Sequence, residues 1–303
     1  MKTTIGSIFI VLAVLYLSTA GPHAQAVVPP PDGGYPGGNT AEGQNALFSR
    51  STGGYNAAIG WLSLSGLTTG SFNTGVGAGT LALNNADQNT ATGVAALLFN
   101  ISGASNTADG AFALFSNTAT GNTAVGSRAL FSNTTGGTLA NIQGVDIGPN
   151  VAVGWEALES NTVASANTAV GYQALQSFTT GPVGLEQIGL CTAVGFQALA
   201  NASSLGFANN AFGYRALVNN TDGGGNTAIG LQALVDNVIG NGNVAIGNNA
   251  LGNSTGDSST ALGFNAGGGV TTANNVICIA TLGANVSNSC FIGNIYSNVQ
   301  PIV

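Results

Sequence analysis

Residues 122–130 read NTAVGSRAL, and the architecture of this chain follows from that nonapeptide. Close copies are NTAVGYQAL at residues 167–175 and NTAIGLQAL at residues 226–234. With degenerate copies included, the unit occurs thirteen times in 303 residues, usually 16 to 18 residues apart. A tandem period this short predicts a solenoid, in which each repeat forms one turn and stacks on its neighbours.

We number each repeat from its asparagine, which is position 0, so that glycine is position 4 and leucine is position 8. Glycine at position 4 recurs in all thirteen copies, which suits a backbone too crowded for a side chain. These structural repeat glycines are Gly43, Gly60, Gly77, Gly93, Gly110, Gly126, Gly154, Gly171, Gly195, Gly213, Gly230, Gly247 and Gly263.

The residues before the glycine predict a short strand. Position 2 is nearly always alanine, and position 3 is usually a larger apolar residue such as Val125 or Ile229. Neighbouring strand residues point to opposite faces. We therefore expect position 3 to fill the interior and the small position 2 to admit another chain. The position-8 leucine predicts a second strand, with a short helix as the alternative.

The fold class predicted is all-β: a parallel β-solenoid of about 16–17 residues per turn and roughly 15 turns. At the usual strand spacing of about 4.8 Å, the rod would be roughly 70 Å long.

Two asparagine columns mark the predicted corners of each turn. Asparagine tolerates the left-handed backbone that tight corners need, and stacked asparagines can bond along the axis. The ladder predicted at position 0 contains Asn73, Asn89, Asn106, Asn122, Asn167, Asn226 and Asn243, and a second column at position 11 includes Asn84, Asn100, Asn117, Asn133, Asn161, Asn220 and Asn237.

The domain organisation is one repeat body with short flanks. Residues 1–26 have a basic start, an apolar core and an A-x-A site, which predicts a secretory signal peptide and a secreted or cell-surface protein. An uncleaved membrane anchor is the alternative. Residues 27–38 predict a Pro/Gly-rich linker, residues 39–295 the solenoid and residues 296–303 a tail. Two longer spacings predict loop insertions near 138–149 and 179–190.

Charge limits the partners. Only 5% of residues are charged, against about a quarter in typical soluble proteins. Signal cleavage would remove the only lysine and the only histidine, leaving three arginines and eleven acids with a formal charge of −8. Such a chain has no basic patch for nucleic acid. No later apolar run predicts membrane insertion after cleavage.

The same composition argues against catalysis. Without histidine or lysine there is no Ser-His-Asp arrangement and no Schiff base. The closest acids, Glu156 and Glu159, are expected on opposite strand faces or around a corner, so no catalytic pair is predicted. The other acids are scattered, and neither a metal nor a cofactor is predicted.

The cysteines leave two interpretations open. Cys278 and Cys290 lie in neighbouring turns, which allows a disulfide in an exported protein. The alternative is that both, with Cys191, are small buried apolar residues.

Two columns predict surface features. Position 5 is partly aromatic, which indicates either a stacking surface for glycans or packing between subunits: Trp61, Trp155, Tyr172, Phe196, Tyr214 and Phe264. Position 1 is largely threonine, which indicates either ordinary strand preference or an ice-binding face: Thr40, Thr74, Thr90, Thr107, Thr123, Thr168, Thr192 and Thr227. Asp109 stands where valine is usual, which predicts a local register change or a buried carboxylate.

The NTAVG and NVAIG cores resemble the head repeats of YadA-type trimeric autotransporter adhesins. The longer form, with Tyr172–Leu175 as YQAL, is similar to repeats of bacterial surface and phage tail-fibre-like proteins. The resemblance implies a left-handed β-roll, packed as a homotrimer, whose outer surface binds matrix or other surfaces.

The expected function is therefore a secreted structural or adhesive rod without catalysis. Its expected partners are copies of itself, as a homotrimer or as filaments joined end to end through Val27–Gly38 or Asn288–Val303, and extracellular matrix or glycan surfaces. An ice-binding solenoid is the alternative, and a glycan-binding or carbohydrate-active solenoid is a lesser one.

Overall fold

A computed structural model describes residues 35–136, 140–142, 145–179, 189–203 and 206–293, with only the backbone described for 140–142 and 145–147. The predicted signal peptide and the predicted tail at 296–303 lie outside these residues.

The chain forms one long parallel sheet whose strands follow each other in chain order. Fifteen strands are joined by fourteen parallel pairings, so the predicted all-β parallel solenoid is confirmed, with about 14 turns. The described residues contain no helix. The strands of this sheet are β1 (Thr40–Glu42), β2 (Ala57–Ile59), β3 (Thr74–Val76), β4 (Thr90–Thr92), β5 (Thr107–Asp109), β6 (Thr123–Val125), β9 (Val151–Val153), β10 (Thr168–Val170), β11 (Thr192–Val194), β12 (Asn210–Phe212), β13 (Thr227–Ile229), β14 (Val244–Ile246), β15 (Thr260–Leu262), β16 (Val276–Ile279) and β17 (Ser289–Ile292).

The first insertion is a β-hairpin rather than a plain loop. Strands β7 (Ala140–Ile142) and β8 (Val145–Ile147) pair antiparallel as a separate two-stranded sheet. Because β6 pairs directly with β9, the hairpin leaves the stack without breaking it. Of the second predicted insertion, residues 180–188 lie outside the described part of the chain.

Equivalent positions of the repeat stack on one another from β1 to β15. Between β10 and β11, for example, Ala169 faces Ala193 and Val170 faces Val194. The same register holds across both insertions, because Ala124 faces Ala152 in the β6–β9 pair. The repeat columns of the sequence are therefore continuous rows in space.

The prediction of two strands per turn is wrong, as is the alternative with a short helix. Each turn has one strand, and its second side has alternate residues at positive φ, such as Gln173 (φ 53°) and Leu175 (φ 52°). The backbone still bonds between turns, because Gln173 N–H donates to Trp155 O at 2.9 Å and Leu175 N–H donates to Ala198 O at 3.0 Å. Hydrogen bonds between neighbouring turns thus pair the backbone donors and acceptors of this side without a second extended strand.

The predicted inside and outside of the strand are reversed. Position 2 faces the interior, where Ala169 is fully buried beside the buried position-7 and position-8 residues Ala174 and Leu175. Position 3 faces outward, as at Ile229, which is 40% exposed. The reason is the short turn: the leucine at position 8 and the alanine at position 7 fill the interior, so position 2 admits only a small side chain.

The asparagine ladder is confirmed. The side-chain Oδ1 of Asn106 accepts the backbone N–H of Asn122 at 2.9 Å, and Asn122 Nδ2 donates to Gly136 O at 2.8 Å. This pattern runs from Asn39 to Ser259, although Cys191 replaces the asparagine in one turn. In the second column the side-chain amides bond to each other, as where Asn100 Nδ2 donates to Asn84 Oδ1 at 2.9 Å.

The expected left-handed backbone at these asparagines is wrong. Neither column appears among the residues with positive φ. That conformation belongs instead to positions 6 and 8 and to the residue before position 0, such as Tyr55 (φ 58°). Asparagine suits these positions because its side-chain amide hydrogen-bonds to backbone groups that would otherwise be buried and unpaired, which is costly.

The column of repeat glycines has φ between 112° and 140° in all thirteen turns. A Cβ on Gly171 would also lie 2.4 Å from the carbonyl oxygen of Gly195 in the next turn. Both the backbone angle and the close approach exclude a side chain there.

The first turn carries a cap that the sequence did not reveal. Tyr35 forms an antiparallel bridge with Asn39 and donates its hydroxyl to Ala41 O at 3.2 Å. Gly37 O accepts the backbone N–H of Tyr55 at 2.7 Å. Residues 35–38 therefore belong to the folded body and not to the predicted linker, of which residues 27–34 lie outside the described range.

Candidate interaction surface

The outer face of the sheet carries a long apolar surface, which we call the outer strip. It consists of positions 3 and 5, which flank the glycine column. Its exposed members are Ile59, Trp61, Val76, Val94, Val125, Trp155, Tyr172, Phe196, Phe212, Tyr214, Ile229, Leu231, Ile246, Leu262 and Phe264. Contiguous exposed apolar patches of more than a few hundred Å² are uncommon on monomeric soluble proteins and usually mark interaction sites.

Four of the predicted position-5 aromatics form what we call the aromatic row: Trp155, Tyr172, Phe196 and Tyr214. Successive ring centroids are 4.9, 4.9 and 5.3 Å apart, with interplanar angles of 19° or less. The in-register turns produce this stacking, because each ring lies one turn above the last.

The stacking also limits what the row can bind. Tyr172 and Phe196 each have a ring on both faces, so they present edges outward. A sugar that stacks on an aromatic residue needs the open face of the ring. The row therefore favours an apolar partner that packs against ring edges over a glycan.

The threonine column also lies on the outer face of the sheet, beside position 3. Thr168 and Thr227 are half-buried, and Thr107 and Thr260 are exposed. Valine, alanine or asparagine replaces threonine at several turns, including Val151 and Asn210.

Asp109 interrupts the outer strip. Strand β5 stays in register with both neighbours, so the predicted register change is wrong. The side chain is exposed and accepts a hydrogen bond from the hydroxyl of Thr92. The expected buried carboxylate is also wrong, because position 3 faces outward.

Glu156 and Glu159 converge, contrary to the prediction that they lie apart. Gln176 Nε2 donates to Glu156 Oε2 at 2.7 Å and to Glu159 Oε2 at 3.0 Å. Arg128 bonds Glu159 and lies 3.6 Å from Glu156 Oε1. The prediction failed because this side of the turn is not an extended strand, so the alternation rule does not apply.

The carboxylate pair is held in a network of side-chain hydrogen bonds between turns. Gln173 Nε2 donates to Glu156 Oε2 at 3.0 Å, and Gln197 Nε2 donates to Gln173 Oε1 at 2.9 Å. Three of the four carboxylate oxygens of Glu156 and Glu159 accept hydrogen bonds from amide or guanidinium groups, and the fourth, Glu156 Oε1, lies 3.6 Å from Arg128 Nε. A general acid must hold a proton to donate, whereas these contacts favour the ionised form of both side chains. These hydrogen bonds join neighbouring turns. The sequence signal for them, which the sequence analysis missed, is the polar column at position 6: Glu156, Gln173 and Gln197.

A second aromatic group was missed at sequence level. Phe99, Phe112, Phe115 and Phe131 form a cluster, with Phe115 and Phe131 stacked at 5.0 Å. Phe99 and Phe115 cover the buried Ala82, Ala95 and Leu98. The group lies on positions 6, 9 and 10, outside the solenoid interior.

The Cys278–Cys290 disulfide is not formed. Both are free thiols, and Cys290 pairs in register with Ile277 rather than with Cys278. Cys278 is buried on the inner face and Cys290 is exposed on the outer face, so their side chains point away from each other. The alternative of three buried cysteines holds for Cys191 and Cys278 only.

The described residues hold no group of three or more His, Cys, Asp or Glu side chains that would suit a metal ion. Within the same part of the chain, no helix has the length and apolarity to cross a membrane. The chain matches no known family model, no curated protein and no solved structure.

Proposed function

We propose that this chain is a secreted structural and adhesive rod that associates with copies of itself through the outer strip. The observation that carries the proposal is the length of that strip, which extends from Ile59 to Leu262 and Phe264 near the opposite end. Burial of apolar surface is the main favourable term in association. A rotationally symmetric assembly, such as the trimer implied by the resemblance to YadA-type heads, would cover the strip on every copy.

The low charge supports the same role. Apart from Glu42 and Asp109, positions 3 and 5 of the described turns carry no ionised side chain. Like-charge repulsion between two copies of an acidic chain is therefore weak at this face and is screened beyond about 10 Å at 0.1 M salt. A neutral apolar face also suits non-polar surfaces outside the cell.

The test compares the natural secreted chain with a triple variant of the outer strip and a double control variant outside it. Multi-angle scattering during size exclusion should give a mass of at least two copies for the natural chain. Replacing Val170, Tyr172 and Phe196 by serine should give monomers and reduce retention on hydrocarbon-coated beads. Replacing the exposed off-strip residues Ile101 and Ile239 by serine should change neither result. A natural chain that stays monomeric at high concentration, and that does not bind the coated beads, would refute the proposal.

Ice binding is the second candidate, and the outward threonine column favours it. Threonine at position 1 is followed by a branched aliphatic residue at position 3 in six strands, β3, β6, β10, β11, β13 and β15. Where these strands are neighbours, as β10 and β11 are, like residues stand side by side on a nearly uncharged face, which suits an ordered water lattice. Microscopy of ice crystals growing in dilute protein tests it, because faceted crystals would support ice binding and round discs would exclude it.

A further inference from the structure

The first ring of the aromatic row has one face that no ring of the described residues covers. Tyr172 stacks on one face of Trp155, with ring centroids 4.9 Å apart. In the direction of the other face, position 5 is Ser127 in the preceding turn and Ala111 in the turn before that. The turns adjoin directly, because Glu156 N–H donates to Ser127 O at 3.0 Å. The uncovered face of Trp155 is therefore directed toward two small side chains.

The small side chains leave a recess in the outer strip, which we call the notch. Its floor is Ala111 and Ser127, and its wall is the uncovered face of Trp155, whose side chain is 41% exposed. Alanine has no heavy atom beyond Cβ and serine has one, so the indole extends past both. Each turn adds about 4.8 Å along the rod, and two successive turns without a large side chain leave space for a flat ring against the indole.

Polar groups at the notch lack partners among the described residues. The hydroxyl of Ser127 and the indole N–H of Trp155 form no hydrogen bond within that part of the chain. Asp109 is at position 3 of the turn that contains Ala111, and its Oδ1 accepts a hydrogen bond from the hydroxyl of Thr92. Its other oxygen has no donor in the described chain. The notch thus offers two donors and one ionised acceptor beside an aromatic face.

The charge of the notch restricts what it can hold. Arg128 follows Ser127, but it bonds Glu159 and lies over the ring of Phe131 at 4.3 Å, and the described ion pairs do not include Asp109. A purely apolar partner would bury the carboxylate of Asp109 without donors, which is costly. An anionic partner would be repelled by it. The notch therefore suits a neutral molecule that combines a flat apolar face with hydroxyl donors.

We propose that the notch binds one pyranose ring of a neutral glycan. The apolar C–H face of the sugar stacks on the uncovered face of Trp155, which carries the partial negative charge of the indole. The sugar then lies at the height of Ser127, one turn from Asp109. Hydroxyl groups at its edge, or on the adjoining sugar, donate to the carboxylate of Asp109 in charge-assisted bonds and accept from Ser127.

This assignment gives a reason for the acid in an otherwise apolar stretch of the strip. Ligand sites typically combine aromatic and apolar walls with a few polar groups that fix orientation, and the notch has both. The inner rings Tyr172 and Phe196 remain unsuited to a sugar, because rings cover both of their faces. The inference goes beyond self-association and gives the proposed adhesive role a chemical class of ligand.

Tryptophan fluorescence of the secreted chain measures the contact directly. The chain has two tryptophans, so Trp61→Phe leaves Trp155 as the only tryptophan. Cellohexaose, maltohexaose and mannohexaose serve as neutral probes in separate titrations. At least one should change the Trp155 emission in a saturable way. Its affinity should fall at least tenfold in Asp109→Val, which removes the acceptor and restores the residue usual at position 3.

A second variant closes the notch and keeps both Trp155 and Asp109. Ser127→Phe places a ring on the uncovered face of Trp155, at a position where Phe196 shows that the fold accepts phenylalanine. Glycan affinity should again fall at least tenfold. The matched control is Ile101→Phe, which adds a ring at an exposed residue outside the outer strip and should bind like the natural chain. Circular dichroism should show the same melting temperature for both variants.

The outcomes separate this inference from the proposed function. It would be overturned by the absence of a saturable change with all three glycans, by unchanged binding in Ser127→Phe, or by an equal loss in Ile101→Phe. Ser127→Phe adds apolar area to the strip, so the mass of its assembly in multi-angle scattering should match that of the natural chain. Glycan binding by a monomeric natural chain would refute self-association and support the notch, and an assembled chain that binds no glycan would do the reverse.

Discussion

The backbone N–H of Cys191 donates to Oδ1 of Asn167 at 3.1 Å, but Cys191 has no side-chain oxygen with which to continue the ladder to the next turn. Its thiol lies against the carbonyl oxygens of Gly189 and Gly206 instead. Between Asn39 and Ser259, Cys191 is the only ladder residue without a side-chain oxygen, and its sulfur lies where Asn167 and Asn209 in the adjacent turns have an amide.

Cys191→Asn should therefore stabilise the rod. Asparagine restores an acceptor for the backbone of Asn209 and a donor toward Gly206 O, in a site that already accommodates asparagine in other turns. We expect a gain of about 1 kcal/mol in the free energy of unfolding, the usual worth of one hydrogen bond. Urea denaturation measures it. Cys191→Ser is the control, because Ser259 occupies this column and accepts a hydrogen bond from Val276 N–H at 3.2 Å. A loss of stability in both variants would contradict the role proposed for the ladder.

Thiol labelling should distinguish the three cysteines. Burial raises the pKa of the Cys191 thiol to about 12, and burial also raises the pKa of Cys278. Because the thiolate is the reactive form, only on the order of one Cys191 in ten thousand is reactive at pH 8. We expect a maleimide to label exposed Cys290 alone in the folded protein and all three after denaturation. Mass spectrometry counts the labels, and fewer than three after denaturation without reductant would indicate a disulfide.

Gly171→Ala tests the glycine column. The substitution forces a residue with Cβ into φ 136° and against Gly195 O, so we expect a loss of at least about 3 kcal/mol. Gly148→Ala is the matched control, because a Cβ there meets no atom within 4 Å. Thermal unfolding by circular dichroism measures both. Equal melting temperatures for the two variants would show that the turns are not packed as described.

The reversed orientation of the strand gives a further test with adjacent residues. Ala169→Val adds volume to the filled interior and should cost about 1–3 kcal/mol. Val170→Ala removes a side chain from the outer face and should cost less than about 1 kcal/mol in the monomer. Chemical denaturation at low protein concentration compares them. The opposite order of costs would restore the orientation predicted from the sequence.

The repeat period was enough to predict the solenoid, its in-register stacking and the asparagine ladder, because each depends only on the recurrence of a residue type. The number of strands per turn was not predictable in the same way. Gln173 and Leu175 have positive φ although neither residue type favours it, and only bonds to neighbouring turns explain that conformation. The prediction that Val170, and not Ala169, faces the interior failed for a related reason. Alternation along a strand gives two faces but does not say which one is inside.

The interaction surface was partly visible in the sequence. The position-5 aromatics predicted a row, and the structure adds that their faces are mutually covered. The pairing of Glu156 with Glu159 was not predictable, because it depends on the local backbone of a segment that is neither helix nor strand.

Parallel pairing of similar short strands, one per turn, has a consequence for inheritance. Removing or adding a whole repeat would preserve the register between turns and change side-chain contacts only at the junction, because each turn pairs with only the one before and the one after it. Unequal recombination between gene segments that encode neighbouring repeats could then lengthen or shorten the rod in steps of about 4.8 Å. The reach of such a molecule is a quantity that selection can adjust without the need to invent a new core.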